Sequence, residues 1–292
     1  PTSIDVVFDE VSEKTVPVTV DTSGVSVADN YMLNRTAAVP AEVTLRGPTS
    51  ELDRISAVVA PITTDTALAD TTTLPANLEM RDENGTVVTP LYTTMDNGSA
   101  NVTLTIYQVL ELPLSVNFIG IPKGFDVNSL KYTLSQQTLR VAGSARTISA
   151  LDTLAVTDFD LAQEFELDRD YQRLIELPAG VVSLDGATNV TLSFDTDNLA
   201  STKLNVSNIR AINVPSNYEL EILSSLVSGV ELYGPADEIQ DLSADSVLAQ
   251  IDCQSLNLTA GQQTIPVTIQ IPASSRIFAT GSYTVQCEIT VK

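Results

Sequence analysis

The sequence contains no histidine and no tryptophan, and it has only two cysteines and 15 lysines and arginines among 292 residues. Without histidine the chain lacks a His general base, a Ser-His-Asp or Cys-His nucleophile system, and a His-ligated zinc or haem site. Two cysteines are too few for a metal site built from four cysteine ligands. These absences predict a protein that is not an enzyme and that needs neither a cofactor nor a metal.

Basic residues and long apolar runs are also scarce. The 37 Asp and Glu residues outnumber the Lys and Arg residues and give a net charge of −22, which repels nucleic acid and anionic lipid headgroups. No apolar run approaches the ~20 residues of a membrane-spanning helix. We therefore expect no nucleic-acid partner and no direct lipid binding. No signal peptide is visible after Pro1, which leaves open whether a signal or an anchor precedes it.

Alternation of apolar and polar residues is the main signal that is present. Short segments rich in Val, Ile, Thr and Leu alternate with period 2 between turn residues, as expected for β-strands. The clearest are residues 16–20, 102–106, 264–271 and 283–289. Only three segments are typical of short helices, at residues 49–58, 145–154 and 236–247, and each follows a glycine. The expected fold class is mainly β with short helices.

Three segments of the chain align around Gly47, Gly143 and Gly234, which are 96 and 91 residues apart. Each segment contains a strand, the glycine, a short helix and a second strand, and the strands that open and close each copy keep the same phase. A period above 90 residues is the size of a whole small domain. We therefore predict three tandem small β-rich domains in an extended array, at residues 1–108, 109–198 and 199–292, which we call repeats 1, 2 and 3. Short linkers are expected at residues 105–112 and 196–204.

The three glycines fit a strand that enters a helix through a tight turn, which needs either a positive φ or a close backbone approach. Pro48 and Pro235 follow two of them and suit the first helical turn, where an N–H lacks a partner. We interpret Gly47, Pro48, Gly143, Gly234 and Pro235 as structural turn residues. Anion binding is disfavoured, because a single glycine without a lysine or a second glycine makes a poor phosphate loop.

This pattern resembles the YbbR-like domain family. Residues 43–58 fit its strand, Gly-Pro and helix, residues 16–20 fit its opening strand, and residues 230–245 fit the Gly-Pro and the helix, whereas Ser144 replaces the proline in repeat 2. The resemblance implies a mostly β fold with exchanged strands, similar to the C-terminal domain of ribosomal protein L25, and it brings no catalytic residues. It also implies attachment to the bacterial cell envelope, outside the cytoplasmic membrane, through an N-terminal anchor.

The only two cysteines, Cys253 and Cys287, both fall on the apolar phase of predicted strands in repeat 3. Two interpretations stay open. Cysteine packs as a small apolar residue, so the pair can be buried free thiols, and a disulfide is the alternative that an extracytoplasmic location permits. No Cys-x-x-Cys motif indicates a redox site.

Pairs of aspartates two residues apart are the remaining candidates for chemistry. They are Asp158/Asp160, Asp168/Asp170 and Asp195/Asp197. Residues i and i+2 of a strand share a face, so such a pair is a candidate for Ca²⁺ binding or for glycoside hydrolysis. No complete calcium-loop pattern occurs, and a chain with 5% aromatic residues is poor in sugar-stacking rings. A solvated acidic face is the favoured interpretation.

Two non-enzymatic functions therefore compete. The resemblance implies a regulatory protein that modulates a membrane-bound diadenylate cyclase, the source of cyclic di-AMP, through protein contact. The alternative is a structural cell-surface protein, such as an adhesin or a stalk of Ig-like sandwiches. The short helix after each glycine distinguishes them, because a plain sandwich has no reason to repeat it. A carboxylate hydrolase is a third and weaker hypothesis. We expect the 292-residue chain to be monomeric.

Overall fold

The structure is a computed structural model that describes residues 8–292. Strands make up most of this part and the helices are one turn long, which confirms the mainly β fold class with short helices. Residues 1–7 of repeat 1 lie outside the described residues. In the part described, no helix has the length and apolar character needed to cross a membrane.

The elements are as follows in chain order. Repeat 1 contains β1 (Val11–Gly24), β2 (Tyr31–Val39), β3 (Glu42–Pro48), α1 (Thr49–Leu52), β4 (Ala57–Thr63), β5 (Thr72–Asn77), β6 (Glu79–Arg81), β7 (Thr94–Met95) and the start of β8 (Ser99–Ser115). Repeat 2 continues with β9 (Phe118–Ile119), β10 (Tyr132–Leu134), β11 (Thr138–Gly143), α2 (Ala145–Ile148), β12 (Leu154–Ala155), β13 (Phe159–Asp160), α3 (Leu161–Glu164), β14 (Asp170–Leu174), β15 (Val181–Ser183) and β16 (Asn189–Phe194). Repeat 3 contains β17 (Leu199–Val206), β18 (Ile209–Ile212), β19 (Tyr218–Ile222), β20 (Val227–Pro235), α4 (Ala236–Gln240), β21 (Leu248–Asp252), β22 (Gly261–Gln270), β23 (Phe278–Thr280) and β24 (Tyr283–Val291).

The chain divides into two compact units rather than three. Unit 1 takes the described residues up to Leu112 together with Arg140–Asp152 and Pro178–Asp185. Unit 2 takes Pro113–Leu139, Thr153–Leu177 and Gly186–Lys292. Because residues of repeat 2 belong to both units, the boundaries of the three domains stay a prediction.

Unit 1 is built around a five-stranded sheet with the order β6-β4-β1-β3-β7. β2 and β5 both pair antiparallel with β8, and β11 pairs antiparallel with β15. The core is aliphatic, with Val43, Leu45, Ile55 and Val58 at most 1% exposed. Burying such side chains stabilises the fold by about 1.5–3 kcal/mol each, and the alternation along each strand fixes which of its faces points inward.

Unit 2 holds the sheet β18-β21-β22-β24-β19 and the three-stranded sheet β17-β20-β23. The predicted alternation is confirmed in both long strands: Ile265, Val267 and Ile269 of β22 are buried between more exposed neighbours, as are Val285 and Ile289 of β24. The second part of this unit, formed by repeat 2, is packed around aromatic rather than aliphatic side chains.

Equivalent strands pair in the same way around Gly47 and Gly234. β1 pairs antiparallel with β3 and β17 with β20, which places Val11 opposite Pro48 and Leu199 opposite Pro235. The strand after the helix runs parallel to the opening segment, as β4 does to β1 and β21 does to β18. A late strand then pairs with the glycine strand, β7 with β3 and β23 with β20. Residues next to these two glycines can therefore be equated through the strand pairings that they share.

Two details differ from the sequence prediction. The linker expected at residues 105–112 is wrong, because these residues lie within the 17-residue strand β8; of the second expected linker, only residues 196–198 precede β17. Their own apolar residues continue the strand alternation, so the chain has no reason to leave the extended conformation. The three expected helices are present at the expected places but are shorter, with four or five residues each.

Candidate interaction surfaces

The three repeat glycines mark close approaches of backbone, and none of them has a positive φ. A Cβ added at Gly47 would lie 2.7 Å from Cα of Thr93, and one at Gly234 would lie 2.8 Å from Cγ1 of Ile277. Gly143 is less tight, with the carbonyl oxygen of Gly180 at 3.0 Å. Of the two interpretations that the sequence left open for these glycines, the geometry thus matches the close approach.

The residue after each glycine occupies the N-cap position, and the helix begins at the next residue. Pro48 and Pro235 occupy the N-cap positions, with φ of −57° and −55°. Ser144 occupies the same position in repeat 2, where its Oγ accepts a hydrogen bond of 3.2 Å from the N–H of Thr147. Serine is among the best N-cap residues, so the substitution exchanges the fixed φ of proline for a hydrogen-bonded cap.

The acidic pairs are used locally. Asp160 is the N-cap of α3 and accepts hydrogen bonds from the N–H groups of Ala162 and Gln163. The other aspartates accept bonds from nearby groups: Asp158 from Asn117, Asp168 from Thr196, Asp170 from Ser193 and Asp195 from the N–H of Asp197. Among residues 8–292, no group of three or more His, Cys, Asp or Glu residues is arranged to hold a metal ion.

Cys253 and Cys287 are free and buried in the aliphatic core of unit 2. Burial raises the pKa of both thiols, and the neighbouring carboxylate of Asp252 adds to the shift at Cys253. A raised pKa and lack of access both slow thiolate chemistry. The disulfide proposed from the sequence stays a prediction.

Thiol titration separates the two states. If both cysteines are free and buried, the folded chain reacts slowly with a thiol reagent such as DTNB. The urea-unfolded chain then releases two equivalents of thionitrobenzoate, one for each thiol. A chain with a Cys253–Cys287 disulfide releases no thionitrobenzoate, folded or unfolded, until a reductant is added. This outcome would favour the disulfide, the alternative that the sequence left open.

An aromatic cluster fills the part of unit 2 where repeats 2 and 3 meet. Its nine rings have centroids 4.5–6.5 Å from their neighbours and are Phe118, Phe125, Tyr132, Phe159, Phe165, Tyr171, Phe194, Tyr233 and Phe278. Six of the seven phenylalanines of the chain are in it. Edge-to-face pairs stabilise by about 0.5–1.5 kcal/mol beyond area burial, so a sequence poor in aromatic residues concentrates them in one place.

Repeat 2 contributes most rings of the cluster and repeat 3 contributes two. Phe165 lies 5.2 Å from Tyr233 and 5.1 Å from Phe278, measured between ring centroids. Main-chain hydrogen bonds cross the same boundary: Gly281 N–H donates to the carbonyl of Ala162. The contact is therefore a packed and hydrogen-bonded joint within unit 2.

Arg173 closes the repeat 2 side of the aromatic cluster. Its guanidinium lies over the Phe159 ring, 4.8 Å from the centroid, and pairs with the carboxylate of Glu164. Partial burial tends to raise the pKa of Glu164, but the hydrogen bonds from Arg173 and from the backbone N–H of Asp160 leave that pKa below its usual value. The guanidinium thus contacts the apolar rings on one side, and its charge is balanced by Glu164 at the edge of the cluster.

One loop of repeat 2, residues 123–131, reaches onto repeat 3, and we call it the anchor loop. The Phe125 ring packs at a tilt against Phe278, with 4.5 Å between the centroids, and Leu130 is 6% exposed. The N–H of Asp126 donates to the carbonyl of Ser275 at 2.7 Å. Lys123 and Lys131 stand at its two ends, and these are two of only five lysines in the chain. The closeness of two lysines in a chain with so few is visible in the sequence, although the overall composition does not reveal it.

A cleft of about 190 Å³ lies beside the anchor loop. It is lined on the repeat 2 side by Phe125, Ser129 and Lys131 and on the repeat 3 side by Leu199, Pro235, Arg276 and Phe278, with Asp195 and Asn198 at the rim. The Arg276 guanidinium already pairs with Glu238 at 3.1 Å. The cleft shows which positions of repeat 3 face repeat 2.

Tyr233 gives the joint a predicted alkaline sensitivity. Burial raises the pKa of Tyr233 to about 12, and the hydrogen bond that its hydroxyl donates to Glu231 adds to the shift. Because the pKa is higher in the folded state, the protonated phenol stabilises the fold fully at pH values below its unfolded pKa of about 10. This contribution to the free energy of unfolding is lost as the pH rises toward 12. Urea unfolding across that window is expected to show a stability loss that is smaller in Tyr233→Phe. Equal losses in both proteins would contradict the assignment.

A second apolar surface lies on repeat 1 and has no covering element among the described residues. Its members, which define the α1 face, are Phe8, Val11, Leu91 and Tyr92, exposed by 92, 64, 78 and 70%. Single exposed apolar residues are common, but a group held around one short helix is a candidate contact surface.

Two acidic side chains hold the α1 face together. The Glu51 carboxylate accepts hydrogen bonds from the N–H groups of Leu91 and Tyr92, both at 3.1 Å, and from the Thr93 hydroxyl at 2.8 Å. Burial tends to raise the pKa of Glu51, but these hydrogen bonds leave it below its usual value. Asp9 likewise accepts a bond from the N–H of Ser50. Residues 8–11 and 91–93 are thus fixed to the same helix, although no sequence pattern pointed to their proximity.

Comparison with known proteins finds a family match within repeat 1. Residues 16–106 match the family described as YbbR-like protein. A crystal structure of a YbbR-like domain from Listeria monocytogenes is 19% identical, covers 32% of this chain and 95% of its own, and has a TM-score of 0.26. A YbbR-like protein from Streptococcus pneumoniae is 13% identical, covers 65% and 97%, and has a TM-score of 0.28. The comparison with curated proteins finds no match. The matched segment contains Gly47, Pro48 and α1, and through it repeat 1 is similar to the YbbR-like family.

Proposed function

We propose that this chain is a non-enzymatic regulatory protein of the bacterial cell envelope, which modulates a membrane-bound diadenylate cyclase through protein contact. The observation that carries protein contact is the α1 face, an exposed apolar group fixed by hydrogen bonds on a rigid strand-helix turn. The choice of a diadenylate cyclase as the partner rests on the resemblance of residues 16–106 to the YbbR-like family. An N-terminal anchor would hold the chain outside the cytoplasmic membrane.

The polar groups of the described residues support a binding role over a catalytic one. The carboxylates that were candidates for chemistry are engaged in structural hydrogen bonds: Asp160 caps a helix, Asp168 accepts from the Thr196 hydroxyl, and Asp195 accepts from the N–H of Asp197. A net charge of −22 keeps the chain soluble, and charge of one sign favours partners with basic patches.

The one-turn helices favour the regulatory function over the stalk of plain sandwiches. Each repeat glycine is followed by a helix, at Thr49–Leu52, Ala145–Ile148 and Ala236–Gln240. The glycine and the helix after it form one end of each repeat. In repeat 3, this end faces residues of repeat 2 across a cleft. A surface adapted to contact suits a protein that transmits a signal to a partner.

The proposal is tested by reconstitution. Membrane vesicles that contain the diadenylate cyclase of the same genome are mixed with an excess of the purified chain on the extracytoplasmic side, and cyclic di-AMP is measured by mass spectrometry. The rate is expected to change by about fivefold or more, the lower end of usual allosteric coupling. Heat-unfolded chain and an unrelated acidic protein of similar charge are the controls. An unchanged rate with folded, saturating chain would overturn the assignment of this partner.

A further inference from the structure

The α1 face of repeat 1 corresponds to the surface of repeat 3 that faces the anchor loop of repeat 2. Val11 lies opposite Pro48 as Leu199 lies opposite Pro235. The carbonyl of Glu10 accepts from the N–H of Thr49 as the carbonyl of Asn198 accepts from the N–H of Ala236. The opening strand and the start of the helix are therefore in the same register in both repeats.

The loop before the late strand also corresponds. Leu45 pairs with Met95 and Leu232 with Ala279, each two residues before the repeat glycine. Leu91 and Tyr92 thus occupy the positions of Ser275 and Arg276. In repeat 3 these two residues meet the anchor loop: the carbonyl of Ser275 accepts from Asp126 N–H, and Arg276 lines the cleft.

The same end is partly covered in repeat 3 and exposed in repeat 1: Pro235 is buried and Leu199 is half-buried, although Ser275 and Arg276 stay exposed. In repeat 3, Leu199 and Pro235 face the anchor loop across the cleft. In repeat 1, the equivalent Val11 is 64% exposed, and Leu91 and Tyr92 present more apolar surface than the serine and arginine they replace. The equivalent surface of repeat 3 already contacts another part of the chain. Because the α1 face is exposed and more apolar, we infer that it is a docking surface as well.

The charges around the α1 face indicate which kind of partner it binds. Asp9, Glu10, Glu51 and Asp53 lie on or next to its segments and outnumber the exposed cation Arg54. Lys14 is engaged, because it donates to the carbonyls of Leu52 and Ile55. Arg46 is engaged as well, at 3.8 Å from the carboxylate of Glu13. The face is therefore apolar with an acidic rim, and complementary charge on the partner assists both encounter and register.

We propose that the α1 face binds a protein segment of the anchor-loop type, in which aromatic and aliphatic side chains are flanked by lysine or arginine. The anchor loop itself has this composition, with Phe125 and Leu130 between Lys123 and Lys131. The apolar side chains bury Leu91 and Tyr92, and the flanking cations meet the acidic rim. This inference deepens the proposed function and rests on it for the existence of a protein partner.

The test uses a defined probe and needs no cyclase. A synthetic peptide of residues 123–131 is titrated into the isotope-labelled full chain, and amide shifts are followed by NMR. Saturable shifts are expected at Glu10, Val11, Leu91 and Tyr92, with a dissociation constant on the order of 1 mM. A peptide with Lys123→Glu and Lys131→Glu is expected to bind about tenfold more weakly.

Matched variants of the chain locate the binding. Leu91→Ser with Tyr92→Ser is expected to weaken binding about tenfold or more, whereas Leu174→Ser, at a leucine that is 60% exposed elsewhere, leaves it unchanged. Thermal unfolding of both variants checks that the fold is kept. No saturable shift, or shifts at residues 198–199 and 275–276 only, overturns the proposal.

The same variants separate this proposal from the proposed function. If the chain alters the cyclase and the Leu91→Ser, Tyr92→Ser variant alters it equally, the α1 face is not the contact and the proposal fails while the function stands. If the peptide binds as expected but the cyclase is unaffected, the surface stands and the named partner fails.

Discussion

Replacing Phe159 by alanine is expected to lower the free energy of unfolding of unit 2 by about 3–5 kcal/mol. Phe159 is 0% exposed and lies in the middle of the aromatic cluster. Its ring centroid is 4.8 Å from that of Tyr171 and 5.1 Å from that of Phe194. The substitution removes these contacts, leaves a cavity in a packed region, and takes away the ring over which Arg173 lies. Urea unfolding followed by tyrosine fluorescence measures the loss.

Two further variants make this result specific. Phe159→Leu keeps much of the volume and is expected to cost clearly less, since volume-conserving apolar exchanges usually cost below about 1.5 kcal/mol. Phe8→Ala makes the same chemical change at a ring that is 92% exposed and should stay within about 0.5 kcal/mol of the parent. A loss below about 1 kcal/mol for Phe159→Ala would mean that the ring is not packed as described.

The aromatic cluster also shows where sequence reasoning ends. Strand alternation located the buried residues of β22 and β24, because each strand carries its own pattern of period 2. The nine rings, by contrast, come from elements spread between Phe118 and Phe278. Long-range pairing decides which of them meet, and local patterns contain no information on it. The low aromatic content predicted only an absence of sugar-stacking clefts.

The one-turn helix α3 illustrates a different limit. Asp158 and Asp160 suggested an acidic pair on one strand face, but Asp160 caps a helix that begins at the next residue. Aspartate is common both in turns and at N-caps, so the same residue fits two local structures. The packing of Leu161, which is 0% exposed, decides between them.

The close contacts of the repeat glycines rank the cost of adding a methyl group at each of them. Gly47→Ala would place a Cβ 2.7 Å from the Cα of Thr93, a backbone atom that cannot turn aside as a side chain can. β3 and β7 would have to separate where Arg46 pairs with Thr94. We expect a loss of about 2–3 kcal/mol in the free energy of unfolding of unit 1, at the upper end of overpacking costs.

The other glycines supply a graded comparison for the Gly47→Ala result. At Gly234 the closest contact is the side-chain atom Cγ1 of Ile277 at 2.8 Å, and at Gly143 it is the carbonyl of Gly180 at 3.0 Å, so the expected losses fall from Gly47 through Gly234 to Gly143. Gly98→Ala is the matched control, since a Cβ there meets no atom of the described residues within 4 Å. It should be neutral or stabilise slightly, by up to about 1 kcal/mol, because alanine restricts the unfolded chain. If Gly47→Ala were as mild as Gly98→Ala, the turn would owe its glycine to something other than close packing, and the equivalence of the three repeat ends would lose its physical basis.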